Sequence, residues 1–160
     1  MSGLDGKIAN VLKMCKEHFK NLCNKNREYS GVRYFFDVIT SMDVKNMLDN
    51  LQGKARSISI NDFSTLYTLF NHDHLLGNIS WMLSKLARNS GCSYISIGHE
   101  KAWWSRQLSD KYDTYSCAVV LEMIEFVVRN CYIKAFGEVF RQDRGMIMGG
   151  KSLGGLATVL

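Results

Sequence analysis

The chain has 160 residues, 46% hydrophobic and 22% charged, which is the balance of one globular domain with room for a sizeable core. Its net charge of +5 and pI near 9.0 suit a polyanionic partner. Five cysteines at irregular spacing, with no Cys-x-x-Cys pair, argue against a disulfide framework or a thiolate zinc site.

Ile8, Val11, Leu12, Cys15, Phe19, Leu22 and Cys23 recur at helical spacing, predicting an amphipathic helix over residues 7–23 with lysines on its outer face. A short strand is expected over 32–39 after the Ser30-Gly31 break. A helix over 42–51 follows, capped by Ser41 and stopped near Gly53. Residues 57–60 alternate polar and apolar as a half-buried strand does, with Asp62 at its end in phase with Ile58 and Ile60.

Leu75, Leu76, Ile79, Met82, Leu83 and Leu86 mark a further helix, ending at 89–91. Residues 94–97 and 102–104 suit a hairpin around Gly98. Ser116 is placed to cap a helix whose main polar stripe is Glu122, Glu125 and Arg129, so nearly all of it is expected to be buried. Residues 131–134 and 138–141 pair as a second hairpin around Phe136-Gly137, and 151–160 open another apolar-patterned helix. Mixed helices and hairpins without a repeat or linker predict an α+β fold.

No secretory signal is visible, since the first twenty residues carry four lysines and no continuous apolar run. The most apolar stretch, 117–128, is interrupted by Glu122 and Glu125 and is too short to span a bilayer. Cysteines at apolar helical positions fit reduced thiols, so an intracellular location, nucleus or cytoplasm, is expected.

Two phrases carry the chemistry. One is NDFSTLYTLFNH, residues 61–72; the other is RQDRGMIMGG, residues 141–150. In the second, Gln142 offers two donors and an acceptor, suited to a base edge or a sugar, and the glycines allow close backbone approach. Arg141 and Arg144 flank it and can neutralise phosphates. In the first, Asp62 is a strand-end carboxylate, a type that serves either as a hard-cation ligand or as a turn or helix cap.

The two phrases, in this order and with a helix, a hairpin, a second helix and an FG turn between them, resemble motifs A and B of the reverse transcriptases of Penelope-like and telomerase-like elements. That family shows phrases of the form FDFSTLYTxLPH and RQxxGIPMG. The resemblance covers residues 9–160, nearly the whole chain. It implies a partial reverse-transcriptase palm, with residues 1–56 as helices before motif A and 57–160 as the motif A-to-B segment of a single partial domain. It implies an RNA template with a DNA primer, deoxynucleoside triphosphates as substrates, and Mg²⁺ in a two-ion site.

Residue by residue, the resemblance makes Asp62 the catalytic carboxylate and, with the carbonyl of Phe63, a metal ligand. Tyr67 becomes the aromatic wall of the sugar pocket, although a core aromatic reads the same way. Gln142 and Gly145 become contacts to the templating nucleotide and the incoming pair, with Arg141, Arg144 and Lys151 along the nucleic acid. The alternative for the 141–145 run is a hairpin exit with exposed charges. For His72-Asp73-His74 a capping and solvated role is expected, because histidines two apart on a helix face different ways. Trp103 or Trp104 could stack on a base, and one of them is expected in the core.

The departures matter as well. The chain has no proline where about eight are usual, and Asn71 and Ile147 stand where the family has proline. The family's paired aspartates of motif C would follow position 160, and a two-ion site needs them. A fragment of an RNA-directed DNA polymerase, inactive alone, is therefore expected. The alternative is a domesticated, non-catalytic nucleic-acid-binding or scaffold protein.

Overall fold

The computed structural model describes residues 3–31, 41–51, 57, 59 and 70–145. In chain order they form α1 (Leu4–Ser30), α2 (Ser41–Leu51), α3 (His72–Ser90), β1 (Tyr94–Ile97), β2 (Ala102–Ser105), β3 (Asp113–Ser116), α4 (Cys117–Arg129), β4 (Tyr132–Ala135) and β5 (Glu138–Arg141). The fold is α+β, with antiparallel strands, as its mixed pattern predicts. The expected strands at 32–39 and 57–60 fall wholly or partly outside the described residues, and the helix expected over 151–160 lies outside them. No described helix is long and apolar enough to cross a membrane.

Packing gathers residues 1–19 and 65–160 into one compact unit and residues 20–64 into another. In the second unit, α2 exposes Met42, Val44, Leu48 and Leu51 and buries none of its residues; Lys45 pairs with Asp49 at 2.6 Å along its surface.

In the first unit, the core is built from the stripes that the sequence displays. Ile8, Val11, Leu12 and Cys15 of α1, Leu75, Leu76, Ile79, Leu83 and Leu86 of α3, and Val120, Ile124 and Val128 of α4 are buried. Apolar side chains at i, i+3, i+4 and i+7 place one face of each helix against its neighbours. Asn71 caps α3, its side-chain oxygen accepting from the Asp73 and His74 amides at 2.7 and 3.3 Å, and Gly91 closes the other end. Ser116 caps α4 by accepting from the Val119 amide, as its position predicts.

A three-stranded sheet, order β2-β1-β3, lies in the same unit. Central β1 buries Ile95, Ser96 and Ile97, and the buried Ser96 hydroxyl is satisfied at 2.9 Å by Thr114 directly opposite on β3. The pairing of β1 with β2 is the predicted hairpin. The third strand is not predicted, because Asp-Thr-Tyr-Ser has no aliphatic alternation. Asp113 begins this strand, and its carboxylate pairs with Lys7 at 2.6 Å. That hydrogen bond is the main cause of the raised Lys7 pKa.

Two further expectations are corrected. Helix α1 runs to Ser30, seven residues past Cys23, because Lys25, Arg27 and Glu28 are good helix formers and the exposed end contains no glycine or proline before Gly31. Helix α4 is not nearly all buried: Val119 and Phe126 are exposed, since β1, β3 and α3 cover only one side of it. Trp103 and Trp104 are both half-buried, Trp103 edge-on to Tyr112 and Trp104 edge-on to His18. Neither is the fully buried member of the pair that alternation predicts.

Cys15 is fully enclosed, and burial pushes its thiol up to about 12 from 9.0. A pKa raised on folding means that the native state holds the proton longer than the unfolded chain does. Its stabilising contribution is complete below pH 9 and is lost as the pH rises toward 12. Alkaline titration of the unfolding free energy is expected to fall through that window, and Cys15 to resist iodoacetamide in native protein at pH 8. Ile79→Ala, at a site with no solvent exposure, is expected to cost about 2–5 kcal/mol in urea unfolding.

Candidate functional site

The RQDRG run begins where the second hairpin ends. β4 and β5 pair from Tyr132↔Arg141 to Ala135↔Glu138, one residue on from the predicted start, and the Gln142 amide continues the ladder by donating to the Cys131 carbonyl at 2.8 Å. Beyond it, the chain turns onto the start of α3. Arg144 forms an antiparallel bridge with Asn71, and the Gly145 amide donates to the Phe70 carbonyl at 2.8 Å. The carbonyl of Gly145 accepts from His72 Nε2 at 2.7 Å. A carbonyl can only accept, so this bond assigns the imidazole proton to Nε2.

Both backbone groups of Gly145 are thus held by residues 70 and 72. Gly145 has φ +76, in the left-handed region that glycine enters without Cβ strain. The glycine of the second phrase is where it is because the backbone must turn left-handed to be gripped from two sides.

His72 was expected to be solvated, and it is buried, with Phe70 edge-on to its ring. The spacing held the clue: 72, 75, 76 and 79 are i, i+3, i+4 and i+7, so His72 lies on the core face of α3. His74 is exposed, as two-residue spacing implies. Asn71 supplies the cap that a proline at that position could not, since proline has no side-chain acceptor.

Of the residues to which the resemblance gives roles, Arg141, Gln142, Arg144 and Gly145 are described and fall within one five-residue run. Arg141 and Arg144 are exposed, Gln142 is half-buried and Gly145 is buried. Arg141 pairs with Asp143 at 3.2 Å, whereas Arg144 has no ion pair among the described residues. Asp62, Phe63, Tyr67 and Lys151 lie outside the described residues.

Near the site, Arg129 of α4 reaches Asp73 at 2.6 Å and Glu125 at 2.7 Å, and the two carboxylates, Asp73 first, raise its pKa. Among the described residues no three His, Cys, Asp or Glu side chains come together as a metal site. The carboxylates of Asp73 and Asp143 already face arginines, so the described residues do not themselves fit an ion.

No family model matches the chain, and no curated protein or solved structure matches it either.

The clamp has a measurable signature. Gly145→Ala forces a Cβ into a left-handed backbone and is expected to cost about 1–2 kcal/mol. His72→Ala orphans the Gly145 carbonyl and is expected to cost about 1–3 kcal/mol. Because the two residues share one bond, a double-mutant cycle in urea is expected to show coupling of about 0.5 kcal/mol or more, where independent sites would add.

Proposed function

We propose that this chain carries the motif A-to-motif B part of a reverse-transcriptase palm and acts on nucleic acid. One observation supports the reading above others. The segment that directly follows the DFSTLYT phrase is bonded to the RQDRG phrase through both backbone groups of Gly145. Residues 70–72, at the end of the first phrase, thus meet residues 144 and 145 of the second, some seventy positions on, and a shared primer–template groove calls for such an approach.

In this reading Gln142, half-buried at the end of the hairpin, contacts the templating nucleotide. The exposed cations of Arg141 and Arg144, with Lys151, line the phosphate path. Asp62 and the Phe63 carbonyl face the triphosphate, and Tyr67 excludes a ribose 2′-hydroxyl by bulk. Magnesium, when bound, would supply charge neutralisation at the phosphates. One motif carboxylate does not make a two-ion centre, so the 160-residue polypeptide is expected to bind primer–template without extending it.

The test is a binding titration of the full chain on an RNA–DNA primer–template between low and physiological salt. Affinity is expected to fall linearly on a log–log plot, and Arg144→Ala to lessen the slope by about one unit. Salt-insensitive or absent binding would contradict the proposal. Primer extension that vanishes in Asp62→Ala would instead show that the polypeptide is catalytically complete. Binding without extension, even when the remaining palm segments are supplied in trans, would favour the non-catalytic, domesticated alternative.

A further inference from the structure

The β4–β5 hairpin stands apart from the other described elements of its unit. Its strands pair with each other, and no other described element packs broadly against either. A two-stranded hairpin is marginal by itself in water, yet this one exposes Tyr132, Ile133, Val139 and Phe140. At its tip, Phe136 is fully open to solvent and has φ +54, followed by Gly137 at φ +86. Positive φ at both central residues is the signature of a type I′ turn, whose first position favours Asn, Asp or Gly. A bulky residue there is a backbone outlier. Phe136 thus carries two penalties at once, a strained backbone and a hydrated ring, and neither serves the packing of this chain. Strain of this kind points to a role outside the fold.

The register assigns the side chains to faces. Tyr132 lies opposite Arg141 and Lys134 opposite Val139, so these four share one face; Ile133, Phe140, Ala135 and Glu138 share the other. The first face alternates cations with an aromatic and an aliphatic side chain and contains no carboxylate. Asp143, beyond the strand end, pairs with Arg141 at 3.2 Å, but both partners are exposed and a phosphate can compete for the guanidinium.

We propose that this hairpin is a stacking wedge for single-stranded nucleic acid: the Phe136 ring meets a base, and Lys134 and Arg141 hold the adjoining phosphates. Cations interleaved with aromatic rings match a chain of alternating phosphates and π-faces. A purely apolar protein groove would offer Lys134 no partner. The wedge rests on the nucleic-acid reading above and adds the element that engages the unpaired strand.

Fluorescence anisotropy of a labelled oligo(dT) or oligo(rU) 16-mer with the full chain tests it. Phe136→Asn relieves the left-handed strain, so melting temperature is expected to hold or rise while affinity drops about 10-fold; Phe136→Trp is expected to keep affinity. Lys134→Gln is expected to lessen the salt slope by about one unit. If Phe136→Asn binds as tightly as the parent, the wedge is wrong, and Arg144-dependent binding to the primer–template would leave the broader reading standing. Failure of the parent to bind any oligonucleotide or primer–template would overturn both. Phe136-dependent self-association in ultracentrifugation, or Phe136-dependent capture by phosphatidylcholine vesicles, without oligonucleotide binding would overturn the wedge in favour of a protein or lipid contact.

Discussion

The apolar stripe of α3 is the constraint on which the described fold depends. Leu75, Leu76, Ile79, Leu83 and Leu86 are all buried, α3 packs against α4, and the buried stripe of α1 and the inner side chains of β1 belong to the same unit. Burial of this kind is the dominant favourable term in folding. His72 is the first residue on the same stripe, which is why an imidazole is enclosed at the end of the helix. The core and the candidate site are therefore one structure: the helix that holds the hydrophobic interior also aims the Nε2 donor at Gly145.

That arrangement explains why a polar side chain is tolerated in the interior. An unpaired buried donor is costly, and His72 avoids the cost by donating to the Gly145 carbonyl, which has no other partner among the described residues. Asn71, one residue earlier, satisfies the free amides at the helix start, and its own backbone bridges to Arg144. Three successive residues, Phe70, Asn71 and His72, thus receive the returning chain through main-chain, bridge and side-chain contacts. Such a junction specifies geometry more tightly than apolar contact does, because hydrogen bonds are directional.

The hairpin before this junction follows a different logic. Its ladder hydrogen bonds are complete, but its side chains have little to cover them within the described residues. Where α3 hides its aliphatic stripe, β4 and β5 display their apolar residues, with cations between them. One unit thereby combines a closed core with a projecting, amphipathic ribbon, and the RQDRG run lies at the boundary between the two.

Much of this was legible beforehand. The spans of α3 and α4 followed from 3.6-residue spacing, the cap of α4 from Ser116, and both hairpins from turn residues between short β-prone runs, because these signals are local. The sequence by itself determined that the chain would be α+β, that α3 would bury the stripe it does, and that Phe136-Gly137 would turn a hairpin. Only the tertiary structure decided that Asp113 to Ser116 would join β1 as a third strand, that α4 would be covered on one side alone, and that His72 would meet Gly145. Each of these depends on which surface lies opposite, and pairings between residues tens of positions apart leave no periodic trace in the chain that makes them.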